Sequence, residues 1–400
     1  MRGLSILSAA VLAALPVAAI SRTHNQDAQI PVVSPKKDRG VGHFSEWSRA
    51  TKKSFLMDWQ AGKASEWTFV MGNEGGDLDS MTAALTWAYH LGHSTQNTSN
   101  PLKAIALLQT PTHALDLRPE NQLALKHSQM TSGHEDLLTR DELPEDPETL
   151  SPKLRGIVLV DHAAPLRKWQ KAKILSIFDH HVDRGAGPDA EPRVFENTAS
   201  CTTIVARQML DELEQLDEEY HMPHELLRII LGAIAIDSGG LSEDSSSEAD
   251  IKTAERVLKR SDWAGRDLRD VMKEINDELR DARRDLGHLG VRDLLRRDWK
   301  SDFVDTVSPS TPTVSLGFAS VPYSLNYQIE KSEFEELFDW FAIHAAWTAE
   351  AGVDVSVTLN KYSVCKGGEK QKIREIVLVV RDDVRIVSVP WYNIHSKKMC

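Results

Sequence analysis

Cysteine is scarce in this chain: Cys201, Cys365 and Cys400 are the three thiols among 400 residues. That excludes a disulfide framework, and the spacing is not that of a zinc site, although one pair could still form. Positive charge is also short. Lysine and arginine number 47 against 59 aspartates and glutamates, a net charge of -12. The overall field therefore repels a polyanion, and such a ligand needs a local cationic patch or bound metal ions. There is no internal repeat and no low-complexity segment, which removes repeat architectures. After the first twenty residues no apolar run approaches bilayer-spanning length. What remains is a globular composition, 41% apolar and 26% charged, on a chain long enough for two or three ordinary domains.

The N-terminal stretch reads as a processing signal. Arg2 precedes an apolar run over residues 4–15, then Pro16 and the small residues Val17, Ala18 and Ala19. This is the basic, apolar and small-residue order of a signal peptide over residues 1–20. It predicts a secretory route, extracellular or vacuolar; the alternatives are a mitochondrial presequence or an untranslocated cytoplasmic extension. The sequon Asn97-Thr98-Ser99 fits secretion. Residues 21–45, polar and holding Pro31 and Pro35, read as a loose extension.

The chemistry concentrates where apolar runs end. Residues 174–178 form a short apolar run that stops in Asp179-His180-His181, with Asp183 two residues on. A buried strand ending this way delivers imidazoles and carboxylates to the carboxyl rim of a sheet, where open α/β sheets bind ligands. The pattern recurs. Residues 67–71 lead into a glycine loop with Asn73, Asp77 and Asp79, followed by a helix over residues 80–91. Capping of that helix explains one of the two aspartates, not both, and two carboxylates so close repel unless a cation or proton separates them. Residues 103–108 are a further strand, and residues 156–160 are another that ends in Asp161-His162. A helix over residues 204–214 begins at Ser200-Cys201-Thr202-Thr203, a start that suits either a phosphate or plain capping. The apolar helix 226–236 closes in Asp237, and an aspartate there is costly unless paired or ligated. Strands alternating with helices to about residue 245 call for a parallel, doubly wound sheet. Hard carboxylates with imidazole suit Mg²⁺ or Mn²⁺.

Residues 242–300 are charge-rich and helical and read mostly as solvated linker helices, with a cationic stretch from Arg292 to Lys300. The remainder reads as a second, smaller α/β unit. It has strands over 313–319, 353–359 and 373–380, a basic loop over 361–372, and one helix over 330–351 whose Phe334, Leu337, Phe338, Phe341 and Ala345 point to a core.

Together these pieces resemble the DHH phosphoesterase superfamily, in its branch of exopolyphosphatases and family-II inorganic pyrophosphatases, closest to the fungal-type exopolyphosphatases. The motifs are Asn73 with Asp77, Asp79 and Ser80; Asp161; Asp179-His180-His181; and Asp237. The stretch from Asp293 to Lys300 is similar to the basic substrate motif of that branch, and Arg374 to a later arginine. The Gly-Gly-His motif of the oligoribonuclease branch is absent. The resemblance implies an α/β fold: a DHH catalytic domain over residues 46–260, a smaller substrate-binding domain over 265–400, and the active site in the cleft between them. It implies two divalent metal ions, Mg²⁺ or Mn²⁺, held by Asp77, Asp79, Asp161, His180 and Asp237, with Asp161 bridging and Asn73 at most a weak contact. A metal-activated hydroxide would release terminal phosphate from inorganic polyphosphate. Asp161 and His181 would be the catalytic pair; His181, Arg296, Arg297, Lys300 and Arg374 would bind the phosphates. No nucleic-acid partner is expected.

Some positions depart from the branch pattern. Asn73 stands where family-II pyrophosphatases have a His ligand, which favours Mg²⁺ over softer metals. Ala199 and Ala163 replace a usual glycine and a frequent asparagine. Rival readings are an inorganic pyrophosphatase, a prune-like phosphohydrolase of cyclic nucleotides or nucleoside polyphosphates, and a non-catalytic polyphosphate-binding scaffold. Phosphate release from each substrate separates the first two, and intact carboxylates at all four motifs oppose the third.

Overall fold

The computed structural model describes residues 43–94, 102–130, 135–215, 222–307, 309, 311–366 and 369–381. The expected signal peptide, the extension up to residue 42, the sequon and Cys400 lie outside the described residues; residues 43–45 already belong to a helix.

The first unit is a six-stranded sheet: β1 (Trp67–Met71), β2 (Lys103–Leu108), β3 (Leu138–Thr139), β4 (Gly156–Val160), β5 (Ile174–Asp179) and β6 (Arg193–Phe195). Its order is β3-β2-β1-β4-β5-β6 and every pairing is parallel. The chain winds outward one way from β1 and the other way from β4, so the topological switch lies between these two strands. The helices are α1 (His43–Gln60), α2 (Leu78–Ser94), α3 (Pro119–His127), the single turn α4 (Pro147–Leu150), α5 (Cys201–Glu214), α6 (His224–Asp237), α7 (Glu248–Leu258) and α8 (Leu268–Arg284). Strands β1 and β4 are buried along their whole length, which is why they read as unbroken apolar runs. Val70, Val158, Val160 and Phe178 pack on one face against α2, α5 and α6, while Phe69, Met71, Leu159 and Ile177 pack on the other with Phe55 and Trp169. Each such side chain contributes about 1.5–3 kcal/mol by leaving water. This packing fixes the strand tips that carry the acidic residues.

The second unit is built from α9 (Val291–Arg297), β7 (Trp299–Asp305), β8 (Thr313–Val321), α10 (Leu325–Glu330), α11 (Leu337–Glu350), β9 (Val355–Lys366) and β10 (Glu369–Val380). Its sheet runs β10-β9-β8-β7, with β8 and β9 parallel and the outer pairs antiparallel. Leu294, Leu295, Ala319, Val321 and Trp340 form its core, and Ala114 and Leu117 of the first unit join them. No helix among the described residues is long and apolar enough to cross a membrane.

Several expectations are corrected. The charged helices α7 and α8 are not linkers: Ala254, Val257, Leu258, Val271, Met272 and Leu279 belong to the first unit's core. The first unit's core reaches Leu279, and the second unit's core takes in Leu286. A thin apolar stripe among many charges is enough to dock such a helix. The helix expected over 330–351 is broken between Glu330 and Leu337. Phe334, Leu337, Phe338 and Phe341 are exposed, and Trp340, His344 and Thr348 face inward instead. The stretch is apolar almost all round, so spacing could not select its buried face. The polar groups of the inward face decided it: Trp340 donates to Gln328, and His344 meets Ser356 at 2.7 Å. The expected basic loop 361–372 is instead the end of a hairpin, with β9 and β10 paired out to Lys366 and Glu369.

The loop after β1 needs a left-handed residue at Gly76, where φ is 58°. A Cβ there would also collide with Thr110 Oγ1. Gly76→Ala is expected to cost at least about 1–3 kcal/mol, the usual cost of such a backbone conformation for a side-chain-bearing residue. Thermal unfolding checks this; an unchanged midpoint contradicts the packing.

Candidate metal centre

The loops that leave β1, β4 and β5 meet at the switch point. Asp161 follows β4 with φ 61°, an uncommon conformation for a residue with a side chain. Strain of this kind clusters at functional sites. Its Oδ2 accepts from Ser80 Oγ at 2.5 Å and from Asn73 Nδ2 at 2.8 Å. Its Oδ1 is buried without a hydrogen-bond partner and lies 3.1 Å from His180 Nε2. His180 Nδ1 is bound to the Thr198 carbonyl at 3.0 Å, which makes Nδ1 the donor and turns Nε2 toward Asp161 and Asp79. Asp161, Asp179, His180 and His181 offer ligand atoms within 4.8 Å of one another. A buried carboxylate oxygen facing two imidazoles fits a hard divalent cation.

The neighbouring acids have defined tasks. Asp179 turns the tripeptide: its Oδ1 accepts from the His180 and His181 amides and from His181 Nδ1 at 2.7 Å. This fixes the tautomer of His181, whose ring is half-exposed. Asp79 lies on the N-terminus of α5. Its Oδ1 accepts from Ser200 Oγ at 2.6 Å and Thr202 N at 2.8 Å, and its Oδ2 from Cys201 N at 2.7 Å. The helix start that suited a phosphate is therefore filled by Asp79, whose charge the helix dipole favours. Asp77 Oδ1 caps α2 through Ser80 N at 3.0 Å. Asn73 uses both ends of its amide: Nδ2 on Asp161, and Oδ1 accepting from Gly75 N at 2.9 Å and Gly76 N at 3.3 Å. The two backbone donors fix the orientation of the amide. Asn73 thus positions Asp161.

Crowding of acids sets the protonation states. Burial, then the charges of Asp79 and Asp77, push Asp161 up to about 7. Burial and Asp79 raise Asp237 well above the carboxylate range, which places it in the field of the same cluster. Burial also raises Asp79, against the pull of His180. For His180 burial acts downward, but Asp161 and Asp79 outweigh it and hold the ring up at about 10. The hydrogen bond that His181 donates to Asp179 raises His181. Asp77 behaves oppositely: burial is overcome by Arg118 and Lys300, which lower it. Such a cluster repels itself until cations or protons enter it.

Three loops of the first unit touch strand β7. Glu74 accepts from the Ser301 amide and from Ser301 Oγ, Arg184 pairs with Asp302 at 2.8 Å, and Arg167 lies 5.1 Å from the centre of the Phe303 ring. These contacts bring the second unit beside the loops that follow β1, β4 and β5. Lys300 reaches the first of these loops: its Cε would be 3.3 Å from a Cβ at Gly75. The other expected phosphate-binding residues are placed differently. Arg297 is buried on Glu120 at 2.7 Å, and Arg296 binds Asp293 at 2.8 Å and the His113 carbonyl at 3.2 Å. Arg374 is exposed on β10, opposite Lys361, at the far edge of the sheet from β7. Two cations near Asp77 had no sequence signal. Arg118 stands just before α3, and Arg283 lies among the charges of α8. Among the described residues Cys201 and Cys365 are both free thiols, and Cys400 lies outside them.

Comparison with known proteins bears on this geometry. Residues 67–234 match the model of the DHH family, N-terminal domain. The chain is 28% identical over 309 residues to a candidate exopolyphosphatase of Schizosaccharomyces pombe, covering 74% of this chain and 77% of that one. It is 26% identical over 304 residues to exopolyphosphatase PRUNE1 of Bos taurus, spanning 74% of this chain and 60% of that protein. A solved structure of a candidate family II inorganic pyrophosphatase from Methanococcus jannaschii superposes with a TM-score of 0.50 at 18% identity, over 73% of this chain and 82% of that one, a likeness of fold.

Proposed function

Because residues 67–234 match the DHH family, N-terminal domain, we propose that this chain is a divalent-metal-dependent exopolyphosphatase, releasing terminal phosphate from inorganic polyphosphate. The observation that carries the reading is the buried Oδ1 of Asp161 facing His180 Nε2 at 3.1 Å, with Lys300 of the second unit across Gly75. Asp161, His180, Asp79, Asp77 and Asp237 would hold two ions, Mg²⁺ or Mn²⁺. When bound, such ions lower the pKa of a water and offset charge on phosphoryl oxygens.

The chain's own groups supply the remainder. His181, its Nδ1 proton held by Asp179, has Nε2 available to contact a phosphate and to protonate the leaving oxygen. Lys300 is a point charge for a phosphate beside the centre. The contacts of Glu74, Arg184 and Arg167 with β7 hold the second unit beside these loops. Arg374, and any rearranged Arg296 or Arg297, would serve phosphates farther along the chain. The engagement of Asn73 with Asp161 on one side and two amides on the other supports the polyphosphate reading over pyrophosphatase, because the resemblance gives pyrophosphatases a ligating His there. The secretory route is part of the same proposal, and N-terminal sequencing of the mature protein tests it.

The decisive assay is phosphate release by the purified protein from long-chain polyphosphate, tripolyphosphate, pyrophosphate and cyclic AMP, with Mg²⁺ and then Mn²⁺. Release chiefly from polyphosphate is expected. Release chiefly from pyrophosphate or cyclic AMP overturns the substrate, and none from any substrate favours a binding scaffold.

A further inference from the structure

Arg118 has no place in the chemistry so far, yet it is 3% exposed and touches both units. It stands between a short 3-10 segment, Thr112–Leu117, and helix α3. Its Nε donates to the Gly75 carbonyl at 2.9 Å, and its Nη2 to Asp298 Oδ1 of the second unit at 3.0 Å. Its Nη1 lies 3.5 Å from Glu120 Oε1 and has no hydrogen-bond acceptor. Glu120 in turn takes Arg297 of the second unit. Two ion pairs therefore cross the junction in opposite senses, with a base and an acid from each side.

What Arg118 holds is as informative as its burial. Gly75 lies between Asn73 and Asp77, and its amide donates to Asn73 Oδ1, whose Nδ2 donates to Asp161. Asp298 lies two residues before Lys300, and both approach Gly75: a Cβ there would be 3.4 Å from Asp298 Oδ1 and 3.3 Å from Lys300 Cε. A continuous path thus runs Asp298–Arg118–Gly75–Asn73–Asp161. Desolvating a guanidinium costs several kcal/mol and is offset only when its acceptors are all in place. Here the acceptors of Nε and Nη2 come from the metal loop and from the second unit, so both are present only when the two are in register. A lysine ammonium is a compact point charge and cannot reproduce the in-plane fork.

We infer that Arg118 is a positioning residue that couples docking of the second unit, and so of Lys300, to the orientation of Asp161 in the candidate metal centre. This rests on the metal-dependent reading proposed above. It predicts that residues which are not ligands set metal affinity across the junction.

The test is Mn²⁺ affinity, by calorimetry, of the full chain and of Arg118→Lys, Asp298→Asn and the double variant, with cooperative unfolding as the fold control. Each single variant is expected to bind Mn²⁺ about tenfold more weakly, the effect of losing a supporting partner behind a ligand. The double variant should be no weaker than the worse single, because both break one link. Should Arg118→Lys fail to fold, Asp298→Asn decides alone, its side chain being partly exposed. Wild-type affinity in Asp298→Asn, or losses that multiply in the double variant, overturn the inference, as does a wild-type chain that binds no Mn²⁺. A wild type that binds Mn²⁺ but hydrolyses no phosphate anhydride sinks only the proposed function. Hydrolysis with unchanged affinity in the variants sinks only this inference.

Discussion

Asp161→Asn is expected to abolish phosphate release from every substrate that the wild type hydrolyses, and to weaken Mn²⁺ binding by more than about 100-fold. Removing a group that merely supports a ligand costs about 10–100-fold in metal affinity, and Asp161 supplies the buried carboxylate oxygen that lies 3.1 Å from His180 Nε2. The fold should survive. An asparagine retains the shape, and Ser80 Oγ and Asn73 Nδ2 can still donate to its side-chain oxygen. Without metal the variant should melt no lower than the wild type at pH 8, because it removes one member of a mutually repelling acid cluster. An Asp161→Asn protein that turns over normally at ordinary metal concentrations refutes the assignment.

The second large effect is the exchange of protons for metal. Asp161 titrates at about 7 in the folded chain against 3.8 for an ordinary aspartate, and His180 at about 10 against 6.5. Both groups bind more protons folded than unfolded, so stability falls with rising pH wherever they titrate. Asp161 acts between its two values, and its contribution is lost as pH passes 7. His180 contributes fully below 6.5, and loses its contribution as pH passes 10. Asp77 and Asp179 are lowered and act only under more acid conditions. The metal-free chain should therefore lose stability from pH 6 to pH 9. The wild type should lose more than Asp161→Asn over that range. Saturating Mn²⁺ displaces these protons. At a concentration of about 1,000 times Kd it adds about 4 kcal/mol, or roughly 10 °C in the unfolding midpoint. Calorimetry at pH 7 in buffers of different ionisation heat should show proton release. Its absence, or metal-free stability that climbs between pH 6 and pH 9, rules out this account.

Much of the fold is legible in the chain's own patterning. An unbroken apolar run marks a strand buried on both faces, and β1, β2 and β4 lie where such runs stand. Residues that follow a buried strand must sit at its rim, so the order of residues alone marks Asp77, Asp161 and the Asp179-His180-His181 turn as rim residues. The two short strands β3 and β6 are not legible in this way, because two or three residues carry no period. The buried face of α11 is hidden by apolar residues on all its sides.

What the sequence by itself determined is the alternation of strands and helices and the side chains delivered to strand ends, since both follow from patterning along the chain. Only the tertiary structure decided which partners those side chains meet. Asp79 lies on the start of α5, Arg297 is taken by Glu120, and Asn73 is turned to Asp161, while Arg118, with no local signal, joins Gly75 to Asp298. Each of these states depends on a partner dozens of residues away. A charged or polar group buried at a junction is committed by whichever partner packing brings to it, and no local spacing encodes that choice.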